Sequence, residues 1–152
     1  LNILVQHSLL IYTGRTRLAR NLLQDVIRRW YARVPEMVEN IQAMTTNAEA
    51  MASALYQGDL DHVGRCLTTY WEQKKKMAGG TEPAHVSRMF AATQPYTLGH
   101  SLAGAGGGGF MLLLVRNPQE KEVIQSILEK TFQSYRVTTH AISIDPWGLV
   151  VH

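Results

Sequence analysis

Residues 101–115 read SLAGAGGGGFMLLLV, and the architecture turns on this stretch. Five of the six positions from 104 to 109 are glycine. Glycine gives up more backbone freedom on folding than any other residue, about 0.5–1 kcal/mol relative to alanine in regular structure. Ordering Gly104, Gly106, Gly107, Gly108 and Gly109 together is therefore costly. A folded chain uses such a run where side chains would obstruct something that comes close to the backbone. A flexible linker is the rival reading. Against it stands Phe110-Met111-Leu112-Leu113-Leu114-Val115, an apolar run that follows at once and reads as a buried strand. The glycines then form an ordered turn, shaped for a phosphate or for a second glycine-rich segment.

Toward the N-terminus, residues 3–12 (ILVQHSLLIY) are rich in β-formers and close at Thr13-Gly14, which predicts a first strand. The period then changes. Leu18, Leu22, Val26 and Trp30 recur every four residues, with Leu23 and Ile27 on the same face, until Pro35 breaks the run. A second helix carries Met37, Ile41, Met44, Ala48, Met51 and Leu55 and ends at Gly58. Asp59 caps a third, with Leu60, Val63, Leu67 and Tyr70 on its apolar side and Gly79-Gly80 as its stop. Pro83 opens a shorter fourth, with Val86, Met89 and Phe90 facing inward.

Beyond the glycine turn and its strand, Asn117-Pro118-Gln119-Glu120 begins a helix whose buried stripe is Val123, Ile124, Ile127 and Leu128. Tyr135 to Ile144 predicts a last long strand, and Leu149-Val150-Val151 a short addition. The order is β-α-β-β-α-β with extra helices in the first crossover. The expected fold class is α+β, a ferredoxin-like sandwich whose antiparallel sheet is backed on one face by helices, one domain over residues 1–152. Nothing in the chain repeats.

Composition narrows the function classes. Apolar content of 45% and charged content of 18% fit a globular protein rather than a disordered one. The net charge is only +3, and the basic residues are scattered apart from Lys74-Lys75-Lys76, so no nucleic-acid surface is expected. No apolar run approaches the ~20 residues of a membrane span. One cysteine, Cys66, cannot form an internal disulfide; it fits a reducing, cytoplasmic setting and plain packing on a helix. The chain enters at Leu1-Asn2-Ile3 without a start methionine or targeting segment, which leads us to expect a piece of a longer polypeptide.

Gly104-Ala105-Gly106-Gly107-Gly108-Gly109 formally satisfies GxGxxG. The dinucleotide fingerprint must open a helix, and here a strand follows. A Walker A loop ends in Gly-Lys-Ser/Thr, where this chain has Gly-Phe. Two readings stay open for the turn: exposed amides that bind an anion, or bare backbone pressed on another segment, with Ala105 adding only a methyl group.

The six histidines (His7, His62, His85, His100, His140, His152) show no metal spacing, and only His100, beside the turn, is worth naming. Ser101 lacks a base and a nucleophile elbow. Asp145-Pro146 is turn chemistry, and Glu36, Glu39 and Glu49 read as solvated faces. Two further segments carry alternatives. Tyr12-Thr13-Gly14-Arg15-Thr16-Arg17 gathers a hydroxyl, amides and two guanidinium groups, fit for an oxygen-rich or phosphorylated ligand, or else Thr16 is a helix cap and the arginines are solvated. Trp71-Glu72-Gln73-Lys74-Lys75-Lys76 is either a solvated helix face or a substrate-side wall.

Together these residues resemble the C-terminal half of the GHMP kinases, the galactokinase, homoserine, mevalonate and phosphomevalonate kinase superfamily. Their third motif is a glycine-rich turn between antiparallel strands, matched here by Gly104 to Gly109 and then Phe110 to Val115. LLIYTGRTRLARNLLQDV, with Tyr12, Thr13 and Arg17, and YWEQKKKMA, with Trp71 and Lys74, look like companion segments of the sugar kinases that act on fucose and heptose phosphates. The likeness runs over nearly the whole chain. Ala103 departs from the Thr or Ser common there.

The resemblance implies an ATP-dependent phosphorylation of a sugar, L-fucose at its anomeric hydroxyl, in an enzyme that uses ATP and Mg2+. It implies that Gly104, Ala105, Gly106, Gly107, Gly108 and Gly109 support the nucleotide-phosphate site, with Gly106, Gly107 and Gly108 nearest the nucleotide. Tyr12, Thr13, Arg17, Trp71 and Lys74 would lie toward the sugar. The phosphate-binding loop with its serines, and the acidic residues that hold magnesium and activate the hydroxyl, belong to an N-terminal domain of the same polypeptide, the expected partner. This chain then carries neither catalytic residue nor metal ligand, binds no cofactor tightly and is inactive alone. A heptose-phosphate or mevalonate-type kinase domain, or an autonomous ferredoxin-like module for a small molecule, remain alternatives.

Overall fold

A computed structural model describes residues 2–16 and 20–145, the side chains of Arg20 and Asn21 excepted. The chain forms α1 (Asn2–His7), β1 (Ser8–Tyr12), α2 (Arg20–Tyr31), α3 (Pro35–Gln57), α4 (Leu60–Met77) and α5 (Ala84–Thr93). A short 3₁₀ turn leads to β2 (Thr97–Leu102) and β3 (Phe110–Val115), then α6 (Glu120–Thr131) and β4 (Thr138–His140). All four strands pair antiparallel in the order β2-β3-β1-β4, the topology of the expected ferredoxin-like α+β sandwich. Leu149-Val150-Val151 lies outside the described residues.

The core follows from strand alternation. Leu9 and Ile11 of β1 and Met111, Leu113 and Val115 of β3 face Val86, Met89 and Phe90 of α5 and Ile124 and Leu128 of α6, all buried. The opposite face is covered as well, where the sequence predicts helices on one face only. There Leu114 packs with Ala54 and Val63, flanked by Leu4 and Leu98. Helix boundaries obey their punctuation. Gly58 ends α3 at φ 71°, the Asp59 carboxylate accepts from the His62 amide (2.9 Å), and the Asn117 amide donates to Glu120 (2.9 Å). Arg29 of α2 donates to the Lys76 and Met77 carbonyls (2.7 and 2.8 Å), satisfying the end of α4.

Three further expectations are corrected. Residues 2–7 are helical, not strand, because β1 begins pairing with β3 at Ser8↔Leu114 and β3 ends one residue later. The last strand shrinks from residues 135–144 to Thr138–His140, which pair with Tyr12, Ile11 and Leu10 of β1. Tyr135 and Val137 pack on the core without joining the ladder. On α2, among the described residues, only Leu22 is buried, while Leu23, Ile27 and Trp30 of its apolar stripe stay exposed.

On α3 the buried positions are Met37, Asn40 and Ala54, a narrower seam than the six-residue stripe predicts. Its polar members are specific. Asn40 and Asn47 donate to the Gln73 and Cys66 carbonyls of α4 (2.8 and 2.9 Å), using the second lone pair of helical carbonyls. Cys66 is buried and unbridged, in keeping with a packing role.

Helix α4 lies on edge strand β2 with backbone against backbone. A Cβ on Gly99 would sit 1.9 Å from the Gly64 carbonyl oxygen, and one on Gly64 would sit 2.6 Å from the Leu98 carbonyl. Leu98 is the extra residue of a bulge, since Thr97 pairs with Val115 and Gly99 with Leu114. Neither neighbour is a side chain that can swing away. We expect Gly99→Ala to destabilise the fold by about 3 kcal/mol or more, as an overpacked core site with no room to relax. A urea midpoint equal to that of the parent would contradict this contact.

Candidate functional site

The glycine turn, residues 103–109, joins β2 to β3, closed at its base by the Ala103 amide donating to the Phe110 carbonyl (2.8 Å). Gly104, Gly106, Gly107, Gly108 and Gly109 all have φ between 72° and 128°, backbone that L side chains rarely adopt. Two of them are also pressed on by neighbours. A Cβ on Gly106 would meet the Thr81 carbonyl oxygen at 2.8 Å, and one on Gly108 would meet that of Arg15 at 2.5 Å. At Gly104 and Gly109 the space beside the Cα is open, so φ alone demands glycine.

Hydrogen bonds fix the turn from two segments. The Gly107 amide donates to Thr81 O (2.7 Å), and the Gly109 amide donates to Arg15 O (2.8 Å) and to Thr13 Oγ1 (3.1 Å). The Thr13 amide returns a bond to Gly109 O (2.8 Å), while its hydroxyl donates to Arg15 O (3.1 Å). Thr81 is itself anchored through its hydroxyl to Ala78 O (2.7 Å). Gly106, Gly107 and Gly108 are therefore buried against their own chain, and the outward part of the turn is Ala103 to Ala105. The bare-backbone reading holds for the glycine faces, with the partner inside the chain. Of the amides, those of Gly107 and Gly109 are taken. No acceptor among the described residues meets those of Ala105, Gly106 and Gly108.

The other residues singled out in the sequence gather around this turn with different roles. Thr13 is fully buried, and Tyr12 packs its ring on Phe110 (centroids 5.3 Å apart). Gly14 lies against the Arg136 backbone, and the Arg15 guanidinium sits 4.7 Å over the Tyr135 ring. Lys74 donates to Leu102 O (3.3 Å) and to Gly104 O, latching α4 to the turn, and burial lowers its pKa. Trp71 is fully buried. It presents no surface to a ligand, packs edge-on to Phe90 and donates its Nε1–H to Glu82. Glu82 in turn pairs with Lys75 (3.6 Å), so this chain of contacts fixes the segment that carries Thr81. Arg17 lies outside the described residues.

His100 is stacked on Phe90 (4.1 Å) and half-buried; burial lowers its pKa against the opposing pull of Glu82 and Glu72. Thr81, Glu82 and the Arg15 carbonyl were not singled out for this work by the sequence. A backbone carbonyl carries no residue signature.

Beside the turn is a cleft of about 390 Å³. Leu22, Leu23 and Val26 of α2 and Met77 and Ala78 wall it, with Lys74, Thr81, Gly104 and Ala105 at its turn side. Among the described residues no three His, Cys, Asp or Glu side chains gather as metal ligands, and no helix is long and apolar enough to cross a membrane. The arrangement offers a rigid wall, amide donors and one ammonium group.

The turn, which joins edge strand β2 to β3, falls inside a stretch matched by a known family. The family model described as "GHMP kinases C terminal" matches residues 51–134. The chain belongs to this family. Among curated relatives, it is 30% identical over 143 residues to the L-fucokinase/L-fucose-1-P guanylyltransferase of Bacteroides fragilis, covering 94% of this chain and 15% of that protein. It is 31% identical over 127 residues to the bifunctional fucokinase/GDP-fucose pyrophosphorylase of Arabidopsis thaliana, covering 84% of this chain and 12% of that one. The GHMP kinase fold is seen in the crystal structure of L. major mevalonate kinase with R-mevalonate. That structure gives a TM-score of 0.76 at 16% identity, over 87% of this chain and 41% of the other. The chain thus spans only a small part of the relatives it matches.

Two outcomes follow from this GHMP turn. Gly108→Ala meets both an unfavourable φ and the Arg15 carbonyl, whereas Gly104→Ala meets only the former. Denaturation should show Gly104→Ala costing about 1–2 kcal/mol and Gly108→Ala clearly more. The second concerns pH. With the folded pKa of His100 below its ordinary 6.5, the unfolded chain takes up a proton there that the folded one refuses, so stability falls as pH drops below that value. His85, lowered by burial and by Arg15 and Arg88, acts in the same direction. His100→Gln should flatten the fall in denaturation midpoint between about pH 7 and about pH 5.5.

Proposed function

We propose that this chain is the C-terminal domain of a longer ATP-dependent sugar kinase, an L-fucokinase that phosphorylates L-fucose at its anomeric hydroxyl to fucose 1-phosphate. The observation that carries this reading is the likeness to two fucokinases, bacterial and plant, across 94% and 84% of the chain. The glycine turn supports it: the Ala105 amide, in the outward part of the turn, meets no acceptor among the described residues, and the Lys74 ammonium is bonded to the neighbouring Gly104 carbonyl. Such donors suit phosphate oxygens.

Phosphoryl transfer of this kind is chiefly positioning and charge stabilisation, so a domain contributes by holding shape. In the proposed enzyme ATP and Mg2+ lie mainly on an N-terminal domain of the same polypeptide, which also holds the magnesium ligands and the group that activates the sugar hydroxyl. This chain closes the nucleotide side with residues 104–109. Arg15 and Thr81 keep the turn rigid, Thr13 braces it, and Lys74 holds its outer end to α4. Tyr12, Arg17 and Lys74 are assigned to the sugar side of the enclosure, while buried Trp71 acts by positioning Glu82 and the Thr81 segment. The enzyme works in the cytoplasm, and this domain alone transfers nothing.

The test is a phosphorylation assay of the full-length polypeptide with ATP, Mg2+ and L-fucose, set beside mevalonate and heptose phosphates. L-Fucose should be the substrate turned over. Gly107→Val should cut kcat about 10²-fold, the loss associated with ~1 Å misplacement of a positioning group. Turnover of mevalonate or heptose phosphate instead would replace the substrate assignment. Unchanged turnover in Gly107→Val would remove the turn from the nucleotide site.

A further inference from the structure

A second polar site lies along β2, toward the end away from the glycine turn. Thr97 and Leu102 are the first and last residues of this strand, about 17 Å apart at the usual rise. Beside it is a cleft of about 390 Å³ lined by Arg65, Thr68 and Thr69 of α4, by His100, and by Arg116 just past β3. No aspartate or glutamate lines it. Ion pairs among the described residues engage Arg29 and Lys75 as cations, so the guanidinium groups of Arg65 and Arg116 meet the cleft without a carboxylate.

Three of the lining residues, Arg116, Thr68 and His100, have fixed partners. Arg116 is fixed by its amide to Tyr96 O (2.9 Å) and by Nε to Pro95 O (3.3 Å), which leaves its terminal nitrogens to donate elsewhere. Thr68 Oγ1 accepts from the His100 amide (3.2 Å), so its own proton remains to be given. The same bond occupies an amide of the edge strand, which blocks the addition of another strand here and leaves the cleft to a small molecule. His100 is held in turn by the stacking of its ring on Phe90.

We propose that this cleft binds a small metabolite through its phosphate group, Arg65 and Arg116 clasping the oxygens and Thr68 and Thr69 donating hydroxyl protons. Two guanidinium forks and two hydroxyls match the several oxygens of a phosphate better than the two of a carboxylate. The volume leaves space for an organic portion beyond the phosphate.

Calorimetric titration of the chain with inorganic phosphate and with glycerol 3-phosphate, at constant ionic strength, tests this. Saturable binding is expected for both, tighter for the ester. Arg65→Ala and Arg116→Ala, both at exposed positions, should each weaken it at least tenfold. Thr69→Ala, also exposed, provides a third and milder variant, weakened severalfold. The proposal is overturned if neither probe saturates, or if the arginine variants bind like the parent. An ester no tighter than inorganic phosphate would overturn the metabolite assignment. None of these outcomes depends on the sugar turned over by the full-length enzyme.

Discussion

Two backbone carbonyls, those of Arg15 and Thr81, hold the glycine turn in place, and the arrangement of the surrounding elements depends on them. Each accepts a turn amide, and each lies where the Cβ of a non-glycine residue would have to go. The turn therefore has no conformational choice left once the segments after β1 and after α4 are in position. This explains why five glycines are needed for six positions. Some answer to backbone conformation alone, and Gly106 and Gly108 also to a neighbour inside the chain.

Much of this was legible from residue types. The helix boundaries follow Gly58, Asp59, Gly79-Gly80 and Pro83, each with a local physical reason that no tertiary contact overrides. The strand order follows from the position of the turn between two apolar runs. Strand lengths were not legible, because an apolar residue joins a ladder only where a partner exists. Ile3, Leu4 and Val5 have good strand composition but precede the first paired residue of β1, and Ile142 to Ile144 likewise lie beyond the last residue of β4 that pairs with β1. Trp71 was misplaced for a related reason. Its charged neighbours from Glu72 to Lys76 point to a surface, but one helical residue in that run faces the core and is fully enclosed.

The candidate site divides in the same way. Its composition announced itself, and the clamps did not, since Arg15 and Thr81 act through groups every residue possesses. Even the roles changed once contacts were known: Thr13 and Lys74 prove to brace the turn, through a hydroxyl and an ammonium bound to main-chain atoms. The contacts of the turn thus supply stiffness and outline, in a chain that belongs to the GHMP kinase C-terminal family.

Arg15 has a second engagement. While its carbonyl holds Gly109, its guanidinium rests on Tyr135, and the preceding Gly14 is packed on the backbone of Arg136. The connection between α6 and β4 thereby buttresses the very segment that clamps the turn. A proteolytic nick or premature stop near residue 135, remote in sequence from the glycines, would loosen them by withdrawing the prop from behind their clamp.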